Sequence, residues 1–346
     1  MENTLFDSKY YFAAANGFDG FRSSFDGVFS PLKLKKLFIL KGGPGTGKST
    51  LMRRVAKHFS NEATVTNILC SSDTHSLDGV LLERDGITVG IVDGTAPHVV
   101  EPRFPGAVEE IVNLGDGFDY GALVGAAKQI IELTQSKSAS YKIGYSALKC
   151  AGEIYKCLDS ILLDIGVYKE AELLALDIVK DASPSLNQAV DSRFLISAFS
   201  KDGYTRMPNS SEGKARINIF GDGVTEYALM KKICEILITR GAARRVHYSP
   251  LSPEMIDAVE TDGYVYAVSD CETECIDTRS FAGDAHGYAD MLSAYGYALN
   301  TARTAFAKAS SYHFALEDIY SKSVSFESNE SKKSRTIESI NQLFNK

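Results

Sequence analysis

The sequence predicts an α/β fold, a mostly parallel sheet with flanking helices, duplicated in tandem, with each half followed by a helical segment. Three observations predict it. An apolar run passes through a glycine-rich loop into an amphipathic stretch at residues 37–58. A β-rich run ending in aspartate follows at residues 87–93. Both features return in the second half of the chain, 178 residues later when Leu51-Met52 is set on Leu229-Met230.

Leu37-Phe38-Ile39-Leu40 has the form of a parallel strand buried on both faces. It runs into Gly42-Gly43-Pro44-Gly45-Thr46-Gly47-Lys48-Ser49, and Thr50-Leu51-Met52-Arg53-Arg54-Val55-Ala56-Lys57 then carries apolar residues at helical spacing. The loop fits G-x-x-x-x-G-K-[ST], the P-loop pattern. Its glycines let several backbone N–H groups converge on one phosphate chain, and the helix N-terminus behind them adds about half a positive charge. Gly42, Gly43, Pro44, Gly45, Thr46, Gly47, Lys48, Ser49 and Thr50 are therefore the expected nucleotide-binding residues. Lys48 reaches the β- and γ-phosphates, and Ser49 supplies a hydroxyl to Mg²⁺.

Such a loop requires a second carboxylate on the metal side, at the end of a neighbouring strand. Ile87-Thr88-Val89-Gly90-Ile91-Val92-Asp93 supplies it after the turn Asp85-Gly86, so Ser49 and Asp93 form the expected Mg²⁺ pair. Gly94 follows, where many hydrolytic P-loop proteins carry a glutamate that polarises water. A different base, a different acceptor or slow turnover is implied. His98 is the candidate catalytic base or substrate contact, with Glu101 behind it, and Thr95 is placed to sense the γ-phosphate. Thr64-Val65-Thr66-Asn67-Ile68-Leu69-Cys70 reads as a further strand. It opens into a polar loop, Ser71 to Gly79, in which Asp73 is a candidate substrate contact and Asp78 a turn residue.

The second half repeats this order with altered chemistry. Ile217-Asn218-Ile219-Phe220 answers the first strand, and the loop becomes Gly221-Asp222-Gly223-Val224-Thr225-Glu226-Tyr227. Glu226 falls where Lys48 stands and Tyr227 where Ser49 stands. A carboxylate in place of the ammonium repels phosphate, so this loop is not expected to bind a triphosphate. Tyr264-Val265-Tyr266-Ala267-Val268-Ser269-Asp270 echoes the run that ends at Asp93. Ser183-Pro184-Ser185 reads as the link, giving expected domains 1–183 and 184–346. Helical segments are expected from Ala126 to Asp181, with Ile154, Leu158, Ile161, Leu162 and Ile165 as core, and from Tyr288 to Ser321. A single exposed helix, Thr336 to Phe344, is expected in the tail.

Length agrees with two domains, since 346 residues exceed the ~250–300 at which single cores stop growing. Hydrophobic residues at 44% and charged residues at 23% are globular values. A net charge of −7 argues against general attraction to nucleic acid or anionic membrane. No apolar run approaches a membrane span, and residues 1–4 lack the basic start of a leader. Six cysteines without a Cys-x-x-Cys read as reduced thiols, which with the missing leader gives a cytoplasmic expectation.

With these motifs in hand, the chain resembles a little-characterised family of bacterial proteins built from two P-loop ATPase-like or nucleotide-kinase-like halves. The resemblance rests on Lys41 to Met52, on Cys70-Ser71-Ser72-Asp73 with Ser76-Leu77-Asp78-Gly79-Val80, on Ile91 to Val100, and on Pro105 to Gly115. It covers nearly the whole length, but members of the family often keep a second intact P-loop and this chain does not. The resemblance implies an ATPase or nucleotide-kinase-like activity; with Gly94 and the altered second loop, the leading expectation is Mg²⁺-dependent ATP binding and slow hydrolysis by the first half, with the second half a scaffold or regulator. Transfer to a small molecule or nucleoside, and a nucleotide-dependent switch acting on a protein partner, are the alternatives. ATP is expected over GTP because no Asn-Lys-x-Asp guanine-reading motif is present. Arg103, Arg244 and Arg245 are candidates for stabilising transition-state charge.

Overall fold

The computed structural model of the protein describes residues 9–185, 190–191, 194–207 and 214–345. Residues 1–4, read above for a leader, lie outside these. The first stretch contains strands β1 (Lys9–Phe12), β2 (Ala14–Gly17) and β3 (Gly20–Ser23), helix α1 (Phe25–Val28), β4 (Lys36–Lys41) and α2 (Lys48–Phe59). Strands β5 (Thr64–Leu69), β6 (Leu77–Arg84), β7 (Ile87–Asp93) and β8 (Glu109–Asn113) follow, then helices α3 (Tyr120–Gly125), α4 (Ala127–Asp164) and α5 (Val167–Ile178). The rest holds β9 (Val190–Asp191), β10 (Ser197–Ser200), β11 (Gly203–Arg206), β12 (Ala215–Phe220), α6 (Thr225–Thr239), β13 (Arg245–Tyr248), β14 (Ile256–Glu260), β15 (Tyr264–Val268) and β16 (Cys275–Asp277). Helices α7 (Tyr288–Lys322) and α8 (Phe326–Phe344) close the chain.

Two compact units are discontinuous in sequence. Of the described residues, one comprises 9–14, 23–143 and 304–345, the other 15–22 and those between 144 and 303. Compactness thus divides the chain differently from the linear halves, with cuts falling inside α4 and α7.

The first unit is built on a six-stranded sheet in the order β1-β5-β6-β7-β4-β8. Only β6 runs against its neighbours. Leu37, Phe38, Ile39 and Leu40 are at most 1% exposed, as a central strand flanked on both faces requires. Helix α2 buries Leu51, Met52, Val55, Ala56 and Phe59, one stripe at helical spacing, and Lys57 and His58 complement the dipole at its last turn. Asp85 and Gly86 both take positive φ, 51° and 77°, the geometry of a tight two-residue hairpin between β6 and β7.

Two expectations are corrected in this unit. The polar loop after β5 ends at Ser76, because Leu77 already begins β6, and Asp78 is a buried strand residue rather than a turn residue. The apolar Leu77, Val80 and Leu82 drive that pairing. Helix α8 begins at Phe326, ten residues before the expected start, and is not an exposed tail. Thr336, Ile340 and Phe344 form an i, i+4, i+8 buried stripe, and the Phe344 ring stands 5.7 Å from that of Phe59 on α2.

The second unit has a sheet in the order β16-β12-β15-β14-β13-β9. Read from β8 to β1 and from β16 to β9, the two sheets show the same succession of neighbours: parallel, parallel, antiparallel, antiparallel, parallel. A two-stranded hairpin precedes the loop-bearing strand in each case, β2–β3 before β4 and β10–β11 before β12. Helix α5 packs on α6. Leu158 and Leu162 are fully buried as expected, whereas Ile165 is 48% exposed. Helix α4 ends at Asp164, so Ile165 already falls outside its buried stripe, and Gly166 at φ 85° then turns the chain into α5. Among the described residues, no helix is long and apolar enough to cross a membrane.

Candidate nucleotide site

The loop between β4 and α2 carries the expected residues in a phosphate-cradling form. Gly45 and Gly47 take φ values of 71° and 89°, which residues with a side chain rarely adopt. Thr46 is fully buried, and its Oγ1 donates to the Gly43 carbonyl at 2.8 Å, pinning the turn. Lys48 opens α2 and folds back over the loop. Its Nζ donates to the carbonyls of Gly42 and Gly43 at 3.1 and 3.0 Å.

Strand pairing delivers the second half of the site. Register sets Leu40 opposite Asp93, so the aspartate emerges beside the start of the loop. Asp93 Oδ2 lies 3.6 Å from Lys48 Nζ. Its Oδ1 accepts from Thr95 N at 2.9 Å and Thr95 Oγ1 at 2.6 Å. Thr95 is thereby an orienter of Asp93. Ser49 Oγ accepts the Leu77 amide at 3.0 Å, which ties the first turn of α2 to β6. Mg²⁺ takes hard oxygen ligands, keeps several waters and borrows phosphate oxygens, so it needs few protein donors. A hydroxyl at Ser49 and an ordered carboxylate at Asp93 fit that demand. Among the described residues, no cluster of three or more His, Cys, Asp or Glu forms an all-protein metal cage.

His98 follows Thr95 closely, its amide donating to the Thr95 carbonyl at 3.0 Å. It is buried, its Nε2 is 3.1 Å from Asp78 Oδ2, and its ring stacks on Phe25 at 4.2 Å and 7°. Nearby, burial and then the Asp78 charge push the Cys70 thiol well up. Glu101 is held at 2.5 Å by Lys41, whose Nζ also donates to the carbonyls of Gly94 and Val100. Asp73 Oδ1 accepts the His75 amide at 3.4 Å, a local turn contact. Arg103 is exposed. In the second unit, Arg244 pairs with Asp262 at 2.9 Å and Arg245 with Glu260 at 3.5 Å.

The C-terminal elements of the first unit, missed by the motif reading, lie directly on the loop. A Cβ on Gly43 would come within 2.9 Å of the Tyr320 ring, and one on Gly45 within 2.7 Å of the Glu317 carbonyl. Asn329 Nδ2 donates to Thr46 O at 2.9 Å, and Arg54 pairs with Glu330. No local signal at residues 317–330 announces this, since the contacts span more than 270 residues of chain.

The loop before α6 is filled from within. Asp222 Oδ1 accepts the amides of Val224 and Thr225, each at 3.0 Å, and Tyr288 donates to Asp222 Oδ2 at 2.9 Å. Glu226 Oε2 accepts the Gly223 amide at 3.0 Å. Burial, with the Asp222 charge, pushes the Glu226 carboxyl up to about 7. Arg206 pairs with Asp270, the residue aligned with Asp93, and its Nη2 lies 3.3 Å from Tyr227 Oη.

Residues 37–79 match the family model of the AAA domain (dynein-related subfamily). That span holds β4, the loop, α2 and β5 and ends in β6. No curated protein and no solved structure matches the sequence. Over these 43 of 346 residues, the strand, loop and helix are similar to a P-loop NTPase domain, a class that binds nucleotide at this loop.

Proposed function

We propose that the protein binds Mg²⁺·ATP at the loop of residues 42–50 and hydrolyses it slowly. The observation that carries this reading is the Lys48–Asp93 contact across a loop whose glycines hold left-handed geometry. In that arrangement the loop amides and Lys48 would receive the phosphates, and Ser49 and Asp93 would hold Mg²⁺, which bridges phosphate oxygens and offsets their charge. The absence of a guanine-reading motif supports ATP over GTP. The aspartate-to-glycine step at 93–94 supports slow turnover.

The second half, residues 184–346, is proposed to be a duplicate of the first, residues 1–183, that no longer binds nucleotide. The shared strand order and direction support common descent, and the occupied amides of Gly223, Val224 and Thr225 support loss of binding. A cytoplasmic site of action is part of the same reading.

Calorimetric titration of wild type, Lys48→Ala and Asp93→Asn with ATP and Mg²⁺ tests this. Wild type should bind and turn over slowly, and Lys48→Ala should lose both. Equal affinity in Lys48→Ala would sink the assignment. Acceleration of ADP release by an added nucleoside or sugar would convert the reading to a kinase.

A further inference from the structure

Hydrolysis needs a group to take the proton of the attacking water, and the position after Asp93 cannot supply one. A Cβ on Gly94 would overlap the Ile39 side chain, so no larger residue fits there. Nor do the other nearby candidates face the loop freely: His98 is stacked on Phe25 against Asp78, and Glu101 is clamped by Lys41.

Helix α7 brings a different carboxylate. The main chain of Glu317 lies against the loop, with its carbonyl 2.7 Å and its Cα 3.2 Å from a Cβ built on Gly45. One turn earlier on the same helix, His313 Nε2 stands 3.5 Å from Glu317 Oε1. The His313 hydrogen bond, followed by the charges of His313 and Lys48 and by the Gly45 amide, holds the Glu317 carboxyl below its ordinary range. It is therefore ionised at neutral pH, and at 38% side-chain exposure it is open to water. The Gly45 amide and the Lys48 ammonium are groups that a P-loop offers to the terminal phosphates. Packed against Gly45 through its main chain, Glu317 therefore sits beside the stretch of loop that a P-loop turns toward phosphate.

We propose that Glu317 is the general base of this site, with His313 as its positioning residue. The inference rests on the ATP reading above. When phosphate oxygens take the Gly45 amide and Lys48, the carboxylate is left at the edge of the γ-phosphate. Water oxygen bonds to the γ-phosphorus as the bond from that phosphorus to the β–γ bridging oxygen breaks. ADP leaves with the bond's electron pair, and the water proton passes to Glu317 and then to solvent. The products are ADP and inorganic phosphate.

The test uses full-length wild type, Glu317→Gln, Glu317→Asp and His313→Ala. ATP affinity is measured by titration with Mg²⁺, and phosphate release in single turnover across about pH 5 to 9. Glu317→Gln should bind ATP within about threefold of wild type while phosphate release falls ~10²-fold or more, the ordinary worth of a general base. The acidic limb of the rate profile should vanish in Glu317→Gln and move to higher pH in His313→Ala, which removes the group that lowers the carboxyl. Glu317→Asp should fall between. Tighter ATP binding with unchanged or faster release in Glu317→Gln would overturn the proposal and make Glu317 a competitor for the loop amide. Unchanged affinity and release, or a wild type that binds ATP without releasing phosphate, would overturn it too. A wild type that binds no ATP would fail the ATP reading itself and take the base with it.

Discussion

Glu226→Gln isolates the cost of the buried carboxylate that falls where Lys48 stands when the two halves of the sequence are aligned. Glu226 is 4% exposed, and its carboxyl is pushed from 4.5 up to about 7. The folded state therefore binds a proton that the unfolded chain has already released, between about pH 4.5 and pH 7. Stability from this group is full below the unfolded pKa and is lost as pH rises through the folded one. A shift of that size corresponds to about 3–4 kcal/mol at most, from 1.4 kcal/mol per unit. Glutamine keeps an oxygen for the Gly223 amide at 3.0 Å but cannot ionise. The assay is urea unfolding of both proteins at about pH 5 and pH 8, compared as a difference so that other titrating groups cancel. Glu226→Gln should gain on wild type as pH rises and exceed it by up to about 3–4 kcal/mol at the upper end. An equal pH slope in the two proteins, or a variant less stable at pH 8, would refute the burial argument.

Two further outcomes follow from packing. Gly94→Ala should destabilise by about 1–3 kcal/mol through overpacking against Ile39 and disturb Asp93 beside it, seen as a lower unfolding midpoint together with weaker ATP binding. Phe344→Ala should cost about 3 kcal/mol by emptying the contact between α8 and Phe59, and a denaturation midpoint equal to wild type would count against that packing.

The part of the fold that was legible in the sequence is the part whose signals are local. Strand β4, its loop and α2 declare themselves through a continuous apolar run, fixed glycines and an amphipathic stripe, all within about two dozen residues. The Asp85-Gly86 turn and the apolar run before Asp93 are equally local. Strand β6 was not legible, because Ser76-Leu77-Asp78-Gly79 looks like turn chemistry, and its pairing with β5 and β7 is decided by partners on either side. Helix α8 was read short because its first turns, Phe326 to Arg335, are polar. What holds them is Thr46, Arg54, Asn113 and Asp116, all contributed by distant segments. Glu317 was invisible for the same reason, since nothing in the surrounding helix marks a carboxylate whose meaning comes from Gly45 and Lys48.

The two loops show why similar backbones need not share a ligand. A P-loop works by leaving several amides and one ammonium without an internal anion, so that phosphate completes them. In the first unit the loop itself carries no carboxylate: Lys48 rests on loop carbonyls, Thr46 spends its hydroxyl on Gly43, and the anion facing Lys48 is Asp93 on a neighbouring strand. In the second unit Asp222 and Glu226 supply the anions in advance, and Arg206 stands with Asp270 as the local cation. A triphosphate arriving there would have to displace both carboxyl groups from amides they already hold and then lie against the charge of Asp222, joined by that of Glu226 as pH rises past about 7. Each such contact is opposed by kcal/mol amounts even at a partly solvated site. A lysine placed at Glu226 would still leave Asp222 on its two amides, so the proposed loss of binding in this unit rests on several residues rather than on one. Tyr227 strengthens the point: its hydroxyl donates to buried Asp257 at 3.1 Å, so the position that corresponds to Ser49 is here turned into the core.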